Sequence, residues 1–342
     1  MKKIFFLASV AIMALSINAQ DLLLEEYFEY EAGSRLISDT ITSADNFDGV
    51  TGWSSVANKN SGLTRFTITN APLTYDGYAG SGMGNALLFT PQSQSGQSVF
   101  KNWGHGITND TTIYIAFMIQ FPKQEVNFAS PDYFMAIKME PAANSSNFAG
   151  RLYASVEAVD EVTGDAFTGQ EVAFGINKSS DATAVWTDPE KEPYFTFDQT
   201  YLVVMKYHVG KINGATAEEE RGNYDDEMWL YINPALGTEP AEANLYQKDP
   251  NGKDAYRLSS KGKEMGSLRG FYLRGGEPGN ANSIAPYILD GIRVGYTWED
   301  VVGKQTAIHN TRTNTKATKT IENGQLIIRR GNNTYSILGT EL

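Results

Sequence analysis

No long segment of this chain carries a 3.6-residue apolar period, while short runs rich in Val, Ile, Tyr, Phe and Thr recur from Leu22 to Val294. That contrast constrains the fold more than any motif, because side chains alternate across a strand and spiral around a helix. Thr64–Thr69 alternates apolar and polar residues, and Arg151–Ala158 partly does so, as half-buried strands would. Ile113–Ile119 is continuously apolar and predicts a strand buried on both faces. Further strands are predicted at 22–28, 133–139, 171–176, 201–209, 227–232, 270–273 and 287–294. Clusters such as Asp76-Gly77-Tyr78-Ala79-Gly80-Ser81-Gly82 and Gly275-Gly276-Glu277-Pro278-Gly279 punctuate them as turns. The one helical signal is a short turn after Thr297, whose side chain can cap it. Residues 91–110 and 233–267 carry few strand signals and are expected to be long loops. Many strands and few helices predict an all-β antiparallel sandwich.

The two ends differ from this body. Lys2 and Lys3 precede an apolar run, Ile4–Leu15, too short to cross a bilayer, and Ala19 offers a small residue before Gln20. Residues 1–19 are therefore expected to be a cleaved signal peptide, with no transmembrane segment elsewhere. Residues 20–304 form the expected sandwich domain, 305–320 a Thr/Asn/Lys-rich linker, and 321–342 a β-hairpin with strands at 325–330 and 334–338. Charge divides along the same lines. Residues 20–304 hold 21 basic and 38 acidic side chains, a balance of −17, whereas 305–342 hold five basic and two acidic. So acidic a body argues against nucleic acid as a partner. The chain has no cysteine, which excludes disulfides and thiolate metal sites.

Several stretches carry a family resemblance. Phe271-Tyr272-Leu273-Arg274, Tyr287–Val302, Tyr201–Tyr207, Asp226–Pro234 and the opening Glu26-Tyr27-Phe28-Glu29-Tyr30 resemble secreted bacterial proteins with a concanavalin A-like (laminin G-like) jelly roll. Glu322–Gly339 resembles the end of the C-terminal sorting domains read by the type IX secretion system, in shortened form. The resemblance implies an exported protein at the outer surface or outside the cell, with the secretion machinery as partner of the tail. If the tail is not a working signal, it implies a periplasmic one.

Jelly-roll glycosidases hold two carboxylates on one strand face, yet Glu157-Ala158-Val159-Asp160-Glu161 has the wrong spacing and reads as a strand end. No Gly-x-Ser-x-Gly elbow, phosphate loop or His-Glu-x-x-His is present. His105 lies in Asn102-Trp103-Gly104-His105-Gly106, where it is a candidate ligand-binding residue or loop base, against the alternative of an ordinary loop histidine. Among the acids, Asp226 and Asp290 are the candidate metal ligands, and calcium the cation they would take. Aromatics in turn-rich segments, Trp53, Tyr75, Tyr78, Trp103 and Trp186, are candidate glycan contacts, against the alternative that each caps the core. The expected function is non-catalytic binding of glycan or another surface ligand. The alternatives are a polysaccharide-active enzyme (hydrolase or lyase) with an atypical site, or a structural envelope component.

Overall fold

The structure, a computed structural model, describes residues 22–37, 51–56, 66–91, 98–128, 131–140, 148–160, 163, 171–178, 183–188, 190, 195–211, 225–248, 267–276, 283–303, 318–322, 325–330 and 333–336. The expected signal peptide and almost all of the expected linker lie outside these residues. Two compact units divide the chain, 1–304 and 305–342. The first is an all-β sandwich of two antiparallel sheets.

The eight-stranded sheet contains β1 (Leu22–Glu26), β3 (Phe66–Ile68), β4 (Leu87–Phe89), β6 (Thr111–Gln120), β11 (Thr200–Val209), β12 (Glu227–Ile232), β13 (Leu245–Gln247) and β15 (Tyr287–Gly295). Its order is β13-β12-β11-β6-β15-β4-β3, with β1 also paired to β15. The seven-stranded sheet runs β10-β9-β8-β7-β14-β5-β2. Its members are β2 (Ser54–Val56), β5 (Ser98–Ile107), β7 (Tyr133–Glu140), β8 (Phe148–Val156), β9 (Val172–Asn177), β10 (Val185–Trp186) and β14 (Ser267–Leu273).

One core fills the space between the sheets. β6 contributes Ile113, Ile115, Phe117 and Ile119 to it, facing residues such as Phe134, Ile137, Leu152, Phe174 and Phe271 from the other sheet. The alternate residues Tyr114, Ala116 and Met118 are buried too, under Leu73, Tyr78 and the short helix α1 (Trp298–Val302). Covered on both faces, β6 has no reason to alternate, which explains its unbroken apolar run. Helix α1 starts as its sequence predicts. The Thr297 side chain accepts from the Asp300 N–H at 3.2 Å, and the Asp300 carboxylate accepts from the Thr297 N–H at 3.0 Å.

Strand β15 changes neighbour halfway. Tyr287–Leu289 pair with β4, and Ile292–Gly295 pair with β1. Between them lies a bulge with Gly291 at φ 62°. A Cβ at Gly291 would stand 2.6 Å from the Gly80 carbonyl, so the 71–86 segment can cross there only against glycine.

The expected loop at 91–110 is corrected by β5, and that at 233–267 by β13. Gly104 and Gly106 break the alternation of β5 around a register shift, which hides it from a period-two pattern. In the second unit, β16 (Thr318–Glu322), β17 (Gln325–Arg330) and β18 (Asn333–Ser336) form a three-stranded antiparallel sheet, one strand more than the expected hairpin. Among the described residues, no helix is long and apolar enough to cross a membrane.

Candidate ligand-binding face

The aromatics singled out in the sequence do not form one face. Trp53 and Trp103 are buried in the core between the sheets, and Tyr78 is buried on the far side of the eight-stranded sheet. The expectation that these three rings are exposed is corrected. Trp53 stacks on Phe28 at 6.2 Å and donates its indole N–H to Glu26. The same buried carboxylate accepts from the Phe28 N–H, the Tyr30 hydroxyl and the Lys101 ammonium, so Trp53 belongs to a structural network. Trp103 places its indole N–H in the core without a hydrogen-bond partner. Tyr78 donates its hydroxyl to the Gly291 carbonyl at 2.6 Å. Tyr75 is half-buried beside the same outer cluster. His105 is exposed, and its Nε2 lies 2.6 Å from the Tyr296 hydroxyl.

The two candidate metal ligands are occupied by the protein itself. Asp290 accepts from the Leu73 N–H at 2.8 Å and the Gly291 N–H at 2.6 Å, one to each oxygen. Burial pushes its carboxyl up to about 8. Asp226 accepts from the Tyr207 hydroxyl and the Gly210 N–H, both at 2.7 Å. Among the described residues, no three His, Cys, Asp or Glu side chains gather where a cation could sit. A hard cation wants six to eight oxygens, and these donor sets do not fit calcium.

A different cluster stands on the outer face of the seven-stranded sheet. Phe100, Tyr133, Ala136, Phe148 and Tyr272 pack there, with Tyr153 against them. Two irregularities between β7 and β8 set their phase. Tyr133 pairs with Tyr153 and Met135 with Leu152, so β7 has an extra residue at Phe134. Met135 pairs with Leu152 and Ile137 with Ala149, so β8 has an extra residue at Gly150. The second shift undoes the first. Tyr133 and Lys138 therefore both face outward although they differ in parity, and Phe134 and Met135 both enter the core. Gly150 takes φ 54°, and a Cβ there would meet Ile137 at 2.8 Å and Tyr207 at 3.2 Å.

Cations are laid on these rings. The Arg151 and Arg274 guanidinium carbons lie 4.6 and 4.7 Å from the centre of the Tyr133 ring, and the Lys138 ammonium lies 3.9 Å from that of Phe100. Arg274 pairs with Asp132 at 2.5 Å and donates to the Tyr133 hydroxyl at 2.9 Å. Arg151 and Asn177 are cross-strand partners beside the Tyr153 hydroxyl, and both work against the effect of burial on that phenol. Burial raises Tyr133 and Tyr153 above the usual phenol range, and the nearby arginines oppose it without cancelling it. Both phenols are thus neutral donors at physiological pH.

Next to them, Tyr153, Gly175 and Trp186 lie in one row across β8, β9 and β10. A Cβ at Gly175 would stand 2.7 Å from the Trp186 ring, so glycine lets that indole lie over the strand. The Tyr153 and Trp186 ring centres are 5.9 Å apart, and both rings are half-exposed. The result is a half-exposed aromatic pair beside the Arg151 guanidinium, an arrangement suited to stacking and hydrogen bonding. Of this cluster the sequence singled out only Trp186 as a contact. The alternation of Arg151–Ala158 was the available signal for Arg151 and Tyr153.

No family model matches the chain, and no curated protein does. Solved structures do match. The alginate lyase Aly36B aligns with 12% identity and TM-score 0.36 over 68% of this chain and 97% of that one. The alginate lyase vAL-1 from Chlorella virus gives 11% and 0.37 over 68% and 93%. The exoplasmic/lumenal domain of VIP36, bound to Ca2+ and Man3GlcNAc, gives 8% and 0.32 over 68% and 84%.

Proposed function

We propose that this chain is an exported, non-catalytic jelly-roll protein that binds glycan on the outer face of its seven-stranded sheet. One observation carries the reading: the half-exposed Tyr153–Gly175–Trp186 row, where two rings flank a glycine beside Arg151 and Asn177. Sugar faces stack on such rings while planar polar groups reach their hydroxyls. Screening the full chain on a broad glycan array tests it. Binding that weakens about tenfold in Trp186→Ala and Tyr153→Ala supports the reading. An empty array, or unchanged binding in both variants, overturns it.

An enzymatic reading has its own support in the Tyr153 hydroxyl, a neutral phenol beside Arg151 and Asn177. Release of sugar or of unsaturated product from a polysaccharide panel, abolished in Tyr153→Phe, would replace the binding reading.

Export is part of the same proposal: residues 1–19 act as the signal and the tail is read by type IX machinery. Unchanged localisation after deletion of 305–342 would overturn the role of the tail.

A further inference from the structure

We propose that this face selects glycans bearing carboxylates, and that Arg151 reads the acid group. The inference rests on the glycan-binding reading above and adds the ligand class to it.

The body is strongly acidic, with a balance of −17 over residues 20–304. Three cations nevertheless share this one face: Lys138, Arg151 and Arg274. Arg274 already has a carboxylate, Asp132. Arg151 does not. It forms no ion pair with a carboxylate among the described residues, and it stands half-buried on this face. Its guanidinium lies over the Tyr133 ring, with the neutral Tyr153 phenol two residues along the same strand. A guanidinium held against an aromatic ring, with no carboxylate of its own among the described residues, is set to take a planar anion by paired hydrogen bonds.

The placement suits a uronate in particular. Arg151 and Tyr153 lie two residues apart on the same side of β8, about 7 Å along the strand. A pyranose stacked on the Tyr153–Trp186 platform leaves its ring edge free, and the uronate carboxylate projects from that edge.

The test titrates the full chain with oligogalacturonate and with the same oligomer after reduction of its carboxyl groups. The expected result is a Kd lower by about tenfold or more for the acid, as a charge-assisted contact contributes. That preference should shrink as salt rises and vanish in Arg151→Gln. Arg151→Lys should keep part of it, since charge survives and the fork does not. Equal binding of acid and reduced oligomers overturns the inference and leaves the glycan-binding reading standing. Absence of binding to either oligomer overturns the inference, while binding of other array glycans through Trp186 still upholds the wider reading. A preference retained in Arg151→Gln removes Arg151 from the role. A sulfated galactan bound in preference to the uronate overturns the carboxylate assignment. Should Arg151→Gln melt before it can be titrated, Arg151→Lys and the wild-type salt dependence decide the matter. A salt-insensitive affinity in the wild type then counts against the inference.

Discussion

The Trp53 indole N–H donates to the Glu26 carboxylate at 2.9 Å, joining a residue just before β2 to the end of β1. Trp53 is fully buried and also meets Phe271 edge-on at 6.4 Å. Trp53→Ala should therefore lower stability by about 3–5 kcal/mol, as loss of a large core aromatic does. Urea denaturation checks this. A change under about 1 kcal/mol would show that the ring is not part of the core.

Trp186 should behave in the opposite way. It is half-exposed at the end of its sheet order, over Gly175. Trp186→Ala is expected to cost about 1 kcal/mol or less in stability, in the range of ordinary surface substitutions, while weakening glycan binding about tenfold. Thermal melts and glycan titration on one preparation separate the two effects.

Gly150→Ala should destabilise by about 1–3 kcal/mol. The new Cβ would meet Ile137 at 2.8 Å, and the backbone sits at φ 54°. Because Arg151 follows directly, glycan affinity should fall too. Unchanged stability in chemical denaturation would mean that the bulge tolerates a side chain.

Asp290 sets a pH dependence. Its folded carboxyl is raised to about 8 by burial, against an ordinary value of 3.8. Between those values the folded chain holds a proton that the unfolded chain has released. Stability contributed by the protonated form is therefore complete below about pH 4 and declines as pH rises toward 8. Asp290→Asn, which keeps only one oxygen for two N–H donors, should start less stable but lose this slope. Denaturation curves from pH 4 to 8 compare the two slopes, and equal slopes would exclude Asp290 as the source.

Tyr78→Phe removes one buried hydrogen bond, to the Gly291 carbonyl, and leaves the ring in place. The expected loss is about 1–2 kcal/mol, read from the same denaturation assay.

The sequence revealed those elements whose pattern is local. β6 was visible as an unbroken apolar run because both its faces are covered, and α1 because Thr297 and Asp300 cap it reciprocally. β5 was hidden by Gly104 and Gly106 at its register shift. The site was mostly illegible for a related reason. Strict alternation puts Tyr133 with Met135 and Ile137, facing the core, and only the extra residue at Phe134 turns it outward beside Arg151. Arg274 reaches Tyr133 across 141 positions of chain. Turn residues around Trp53 and Tyr78 suggested exposed loops, yet their side chains fold back under the sheets, which composition alone does not reveal.

The change of partner along β15 has a dynamic consequence. One edge of that strand is laced to β6, but the other is shared by β4 and β1, which end on either side of Gly291. Across the junction, a tyrosine hydroxyl and an aspartate stand in for main-chain rungs. Local opening should start at this seam, so that the Leu73 and Gly291 amides exchange with solvent before their neighbours deeper in β6 and β15. The seam belongs to one sheet and the aromatic platform to the other. Saturating the platform with ligand would slow exchange in β8 and β9 while leaving the seam free to open.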